Sequence, residues 1–266
     1  KVYRVADGTS LAGQGVPPWP QRMRTYGSRV LVWSTNGQQV TVRLFDVPSQ
    51  KDVWSHSYDS SARASFADDG RLGILERGGK FQLLDVESGR AVIDSKVEAI
   101  DSLSTIYVMR HQDQYVVAAT RSPVAAMRQQ NGWIVRPFQT PSTYDAPAIQ
   151  GFLHGFNRQG EHTWSQAARD VALPLSQPQD SPVLCLMSYV YGNRMQVNGR
   201  RVGVVQQSCI VFVDKRSGRV VHRQLFSGIP SYYELTANSH KHTVEFAANI
   251  GTVRLELSDE AWPAEE

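Results

Sequence analysis

The 266 residues carry 28 Lys and Arg against 25 Asp and Glu, a formal charge of +3, with 41% hydrophobic residues, 20 Gly and 13 Pro. That composition is ordinary for a globular chain and excludes disordered and collagen-like classes. The charge is too small to argue for nucleic acid, and no apolar run approaches the roughly 18 residues of a membrane helix.

The sequence opens Lys1-Val2-Tyr3-Arg4, without Met and inside an apparent strand. This start predicts a processed product or a piece of a longer polypeptide, with any targeting signal outside it. Strand signals then come in groups. Residues 29–34 lead through an Asn36-Gly37 turn to 40–45 and then to 53–58. The next group runs 64–66, Asp68-Asp69-Gly70, 71–75, Gly78-Gly79, 80–85 and 90–93. Asn-Gly, Asp-Gly and Gly-Gly supply the positive φ of tight hairpins, so these are antiparallel meanders.

A turn signature punctuates the groups. Asp-x-x-Ser-Gly stands at Asp85-Val86-Glu87-Ser88-Gly89 and at Asp214-Lys215-Arg216-Ser217-Gly218. Looser copies lie at Phe45-Asp46-Val47-Pro48-Ser49-Gln50, Phe156-Asn157-Arg158-Gln159-Gly160 and Val5-Ala6-Asp7-Gly8. Asp46, Asp85, Gly89, Gly160, Asp214 and Gly218 are read as structural turn residues. The apolar positions after the early copies, Leu11, Val53 and Val92, are spaced 42 and 39 residues, the length of a four-stranded propeller blade. Later copies are further apart, which places insertions at 121–147 and at the hairpin tip 192–201.

The predicted fold is therefore all-β, a β-propeller of about five four-stranded antiparallel blades in one domain, 1–258. The units are 21–58, 59–97, 98–168, 169–228, and 229–258 closed by 1–15, with an acidic tail at 259–266. A ring closed by both chain ends removes open strand edges. The rival is an open segment of a larger propeller with further blades upstream.

The runs Leu83-Leu84-Asp85-Val86-Glu87-Ser88-Gly89-Arg90 and Val213-Asp214-Lys215-Arg216-Ser217-Gly218-Arg219, with Trp54 and Trp164 after the looser copies, resemble the PQQ-like, quinoprotein-type β-propeller repeat. The resemblance implies a Trp that docks between blades. Here no copy has both the Ser-Gly turn and the Trp, and Ile93 and His222 stand at the Trp position. The segment Leu173-Pro174-Leu175-Ser176-Gln177-Pro178-Gln179-Asp180-Ser181-Pro182-Val183-Leu184, taken with the turn at 214–218, is similar to C-terminal propeller-like regions of large exported planctomycete-type proteins. That likeness implies an extracytoplasmic setting, periplasmic or at the cell envelope, and no known reaction.

Cys185 and Cys209 lie on two strands joined by a polar tip. A hairpin symmetric about Val197 sets them directly opposite, where a cross-strand disulfide is feasible; two free thiols packed as small hydrophobes are the alternative. His240 and His242 share a strand face, but with Lys241 between them and no nearby Cys or carboxylate they read as a solvated loop. No nucleophile elbow, P-loop or zinc-protease helix is present. No catalytic residue, metal ligand or cofactor site is assigned.

The insertions are the candidates for binding. Between Gln114 and Tyr144 there is no acid, while Arg121, Arg128 and Arg136 stand among Trp133, Phe138 and Tyr144, the composition of interface anchors. A cover packed onto the fold is the structural alternative. From Arg194 to Arg223 seven basic residues, including Arg194, Arg200 and Arg201, face one acid, Asp214. This is a solvated basic edge or a surface for an acidic partner. The preferred function is a non-catalytic scaffold or protein-interaction domain with an unidentified protein partner. The alternative is a degenerate quinoprotein-like or carbohydrate-active propeller enzyme, and fold resemblance alone does not choose between them.

Overall fold

The computed structural model describes residues 7, 9, 21–111, 114–121, 128–130, 133–135, 146–197 and 200–258; side chains are left aside at 128–130, 133–135, 191–197 and 200–205. The described residues contain strands and turns and no helix, so no helix is long and apolar enough to cross a membrane. Two compact units form, Lys1–Leu103 and Ser104–Glu266.

In the first unit, β1 (Arg22–Tyr26), β2 (Arg29–Asn36), β3 (Gln39–Asp46) and β4 (Lys51–Asp59) make an antiparallel sheet in chain order. β5 (Arg63–Phe66), β6 (Leu72–Leu75), β7 (Lys80–Leu84) and β8 (Ala91–Lys96) make a second. Both are the up-and-down meander of a propeller blade, running from Arg22 to Asp59 and from Arg63 to Lys96. The Asn36-Gly37 hairpin closes with Gly37 at φ 57°.

Alternation explains the packing. In β3 the side chains of Val40, Val42 and Leu44 point one way and are buried. They meet Leu72, Ile74 and Leu84 of the second sheet in one core cluster. β6 is buried at all four positions, as a strand covered on both faces must be. At roughly 25 cal/mol per Å² of apolar area removed from water, this contact between the two sheets dominates their cohesion.

In the second unit, β9 (Leu103–His111), β10 (Gln114–Arg121), β13 (Ala148–Phe156) and β14 (His162–Ala172) form a third meander, interrupted by the small hairpin of β11 (Arg128–Gln130) and β12 (Trp133–Val135). β15 (Val183–Val197), β16 (Arg200–Asp214) and β17 (Val220–Ser227) follow, then β18 (Tyr233–Asn238), β19 (Thr243–Ala248) and β20 (Gly251–Glu256). The third meander and β15–β17 are joined in a seven-stranded sheet ordered β17-β16-β15-β14-β13-β10-β9. The join is brief: only Val171 and Ala172 of β14 pair with β15, opposite Ser188 and Met187.

Asp170, at φ 54°, turns the chain just before that join. Past Asp170, Val171 and Ala172 pair on both sides, with Ile149 and Ala148 of β13 and with Ser188 and Met187 of β15. β18–β20 make a three-stranded sheet packed through Val244, Phe246 and Val253 against Cys185, Met187, Ile210 and Phe212. The fourth strand expected there from 1–15, like the tail 259–266, lies outside the described residues apart from Asp7 and Thr9.

The recurring turns make one repeated contact. Asp85 accepts hydrogen bonds from the Ser88 amide (2.9 Å) and hydroxyl (2.6 Å), and the Gly89 amide donates to the Asp85 carbonyl (2.8 Å). The Ser88 hydroxyl and amide hold the Asp85 carboxyl below the usual carboxylate range. At the second copy, Ser217 donates to the Asp214 carboxylate (2.8 Å) and the Gly218 amide to the Asp214 carbonyl (2.8 Å). Gly89 and Gly218 sit at φ 70° and 69°. In the looser copy Gln50 takes that left-handed position at φ 56°, a conformation that costs a non-glycine residue about 1–2 kcal/mol.

Onto each Ser-Gly turn docks a Trp from the preceding blade. Trp54 Nε1 donates to the Val86 carbonyl at 2.8 Å, and Trp164 Nε1 to the Lys215 carbonyl at 2.9 Å. Both acceptors are the residue after the Asp. A Cβ on Gly89 would lie 2.4 Å from the Trp54 ring, and one on Gly218 2.5 Å from Trp164. The Trp and the Ser-Gly turn, never found in one copy, are two halves of a contact made between successive copies. Ile93, at the Trp position of the strict copy, is buried apolar filling instead.

Candidate interaction surface

The long hairpin stands on a braced scaffold. Ahead of the long hairpin, the segment 173–182 is pinned by its own Gln177 and by side chains of β9 and of the Asp214–Gly218 turn. Gln177 mimics a strand partner: its Oε1 accepts from the Cys185 amide (2.7 Å) and its Nε2 donates to the Cys185 carbonyl (2.9 Å). The buried Lys215 donates Nζ to the Ser181 carbonyl at 2.7 Å. His111, also buried, donates Nδ1–H to the Gln179 carbonyl at 2.7 Å. Burial, aided by the Lys215 charge, pushes the His111 pKa down to about 4, so it stays neutral at pH 7.

On this base β15 and β16 run for 15 residues each. β14 pairs only at Ser188 and Met187, and β17 only along Gln207–Val213. The strands beyond, 191–197 and 200–205, pair only with each other among the described residues, a two-stranded ribbon about 20 Å long at the usual rise per residue. Its register closes Val197 against Arg200; the two residues between them in sequence are Asn-Gly, the strongest short hairpin signal. Arg194 pairs with Gly203 and Gln196 with Arg201, so Arg194 and Arg201 share one face of the ribbon and Arg200 lies on the other. The stretch 191–205 has three arginines and no carboxylate.

This register corrects the cysteine expectation. With the centre between Asn198 and Gly199 rather than at Val197, Cys185 pairs with Phe212, and Cys209 with Ser188. The odd offset sends the two side chains to opposite faces. Both are free, Cys185 buried and Cys209 half-buried. Burial pushes the Cys185 thiol well above the usual range, so it packs as a small apolar group.

In the other insertion, β11 and β12 pair Arg128 with Val135 and Gln130 with Trp133. Arg128 and Trp133 therefore share a face of that hairpin. Arg121 ends β10 and is exposed. Arg136 and Phe138 lie outside the described residues. The two insertions leave the same sheet from strands separated by β13 and β14.

One chemical cluster was missed in the sequence. Ser165 Oγ sits 2.8 Å from His154 Nδ1 and 2.9 Å from His162 Nε2, with His154 fully buried. The hydroxyl lies within hydrogen-bond distance of both imidazoles. Ser165 faces His154 across a regular ladder, without the sharp turn that exposes a nucleophilic serine. The signal available was the Asn157–Gly160 turn, which folds residues eight apart against each other. Within neither unit do the described residues converge three His, Cys, Asp or Glu ligands.

No protein-family model matches the sequence, and no curated protein does. Solved structures similar to the chain include Kuenenia stuttgartiensis hydrazine synthase, at 15% identity over 88% of this chain and 57% of that one, with a TM-score of 0.40. The WD40 domain of Toxoplasma gondii coronin is similar at 7% identity over 86% and 52%, TM-score 0.39. Moraxella catarrhalis BamB is similar at 16% identity over 86% and 67%, TM-score 0.28. The chain spans little more than half the length of the first two. At these scores the fold rests on the strand pairing itself: an all-β chain of four-stranded propeller blades.

Proposed function

We propose that the chain is a non-catalytic β-propeller domain of a longer, exported protein, and that it binds an acidic surface of a protein partner. The single observation that carries this reading is the ribbon 191–205. It extends past every neighbouring strand, presents three arginines without a carboxylate, and stands on a segment locked by Gln177, Lys215 and His111. Rigid scaffolds with projecting loops are how β folds commonly display binding residues. The Arg128–Trp133 hairpin is the second contact of the same surface class, with Arg121, Arg136 and Phe138 beside it in sequence. The Trp54 and Trp164 dockings support a place among PQQ-like repeats. The extracytoplasmic setting rests on the planctomycete-type resemblance.

A photo-crosslinking residue at Gln196 near the ribbon tip, compared with one at Glu87 on a blade turn, tests the reading in the native host. A discrete protein adduct from 196 and none from 87 is expected. Equal adducts from both positions, or none from 196, would overturn it.

A further inference from the structure

The segment 173–182 that leads into the long hairpin is a strap held by side chains rather than by a sheet. Its ends have backbone ties: the Leu173 amide donates to the Pro147 carbonyl at 2.9 Å, and the Lys215 amide to the Pro182 carbonyl at 3.0 Å. Between them, no backbone hydrogen bond joins residues 174–181 to another element among the described residues. The Ser181 amide turns back on the Pro178 carbonyl at 3.3 Å. Three side chains fix this stretch: Gln177 on the Cys185 backbone, Lys215 on Ser181, and His111 on Gln179. A segment tied in that way can open while the sheet beside it stays folded.

His111 is the tie that acid can break. Because its Nδ1–H donates to the Gln179 carbonyl, Nε2 carries the lone pair of the neutral ring. The residue is 1% exposed, and Nε2 is buried with no hydrogen-bond partner among the described residues. A second proton has to go to that atom. It would create a buried cation whose new N–H meets no acceptor, which is costly.

The charges around the ring oppose that cation. Lys215 and Arg216 of the 214–218 turn disfavour it, and Asp214 favours it. Asp214 is engaged in its own turn by the Arg216 amide and the Ser217 hydroxyl, each at 2.8 Å. The strap adds one titratable group, Asp180, which is exposed. The paired stretches 183–190 and 207–213 contain no carboxylate and no histidine, so this ladder has nothing of its own that titrates with the ring.

We infer that 173–182 is an acid-released strap: a proton taken up at His111 Nε2 drives the ring into solvent, Gln179 is let go, and residues 174–181 lift from Lys215 and Cys185 while β15 and β16 stay paired. Release loosens the base on which the ribbon stands. Its consequence for a bound partner rests on the function proposed above; the release itself does not.

The test is native-state amide exchange of the full chain, followed by NMR from pH 6.5 to pH 3.5 and corrected for the intrinsic exchange rate. The Cys185 and Ser181 amides report the strap, and the Ile210 and Val211 amides, in the middle strand of the ladder, report the sheet. The ring titrates at about 4 in the fold against 6.5 ordinarily, so the opening constant at Cys185 should rise by up to about 300-fold between those limits. Ile210 and Val211 should stay protected at pH values where Cys185 and Ser181 have lost protection. His111→Asn, which keeps a donor toward Gln179 and does not titrate, should make the Cys185 opening constant flat across the window. Equal opening constants at Cys185 and Ile210 at every pH would overturn the inference, because the strap would then open only with the whole fold. So would a His111→Asn variant with the wild-type pH dependence. Should that variant fail to fold, the wild-type ring decides through its 15N shifts: protonation near pH 4 together with loss of Cys185 protection supports the strap, and protonation with Cys185 still protected overturns it.

Discussion

Substituting Gly89 by Ala in two backgrounds measures whether the Trp54 ring is what demands a glycine. At φ 70° an alanine costs about 1–2 kcal/mol from backbone sterics alone. The added Cβ would also lie 2.4 Å from Trp54 Cγ, against a comfortable separation of about 3.5–4.0 Å. The ring must therefore retreat by about 1 Å, an overpacking cost of about 1–3 kcal/mol. Retreat also stretches the 2.8 Å bond to the Val86 carbonyl, worth about 1 kcal/mol net. Gly89→Ala should then cost about 3–6 kcal/mol in the native background and only about 1–2 kcal/mol beside Trp54→Ala, a coupling of about 2–4 kcal/mol, at the upper end of that seen between contacting residues. Urea unfolding of the wild type, both single variants and the double variant closes the cycle. Equal costs of Gly89→Ala in both backgrounds would refute the docking account and leave the glycine as a turn residue only.

The His111 pKa, ordinarily 6.5 and about 4 in the fold, makes stability pH-dependent. The unfolded chain takes up a proton below about pH 6.5 that the fold refuses until about pH 4, so stability rises with pH across that window and is lost as pH falls, by up to about 3 kcal/mol. His111→Asn, which keeps a donor toward Gln179, should flatten the slope of urea-derived stability between those limits; an unchanged slope would contradict the burial argument. Asp85, held down by Ser88, contributes stability above the ordinary carboxylate range that disappears as pH falls through it, and Asp85→Asn should remove that acid-side loss in thermal melts. Both cysteines should be alkylated in denatured protein without reductant, as read by mass spectrometry, and Cys209 should react before Cys185 in the native state; a mass two hydrogens lighter with no alkylation would restore the disulfide.

What could be read from the sequence follows from how local each determinant is. Asn36-Gly37 and the Asp-x-x-Ser-Gly turns specify hairpins within a few residues, and the alternation of Val40, Val42 and Leu44 specifies a face. The antiparallel meanders of the first unit are therefore legible in the sequence. The join of β14 to β15 escaped because it depends on Asp170 adopting a left-handed φ, in a stretch whose strand pattern runs through to Ala172. The register of the long hairpin was misjudged because Gly192-Asn193 and Asn198-Gly199 compete as turns. The pairing of Val197 with Arg200 differs from a hairpin symmetric about Val197 by an odd offset, which puts Cys209 on the other face.

Non-local contacts were the least legible part. Trp54 meets a turn more than 30 residues on, and Trp164 one about 50 residues on, so each looked like a defective repeat until the two halves were seen together. Of the residues read as interaction candidates, Arg194, Arg200 and Arg201 lie on one ribbon, and Arg128 and Trp133 on one hairpin.

The most direct test of the interaction role removes the ribbon while leaving the blade intact. Tyr191 pairs with Val205, so replacing residues 192–204 by Asn-Gly closes that pair with a two-residue turn and preserves the register below it. Quantitative co-purification from the native host, at matched expression, compares this variant with the wild type. The account predicts an unchanged melting temperature and loss of the proteins recovered by the wild type. Recovery of the same proteins in the same amounts by the shortened variant would contradict it.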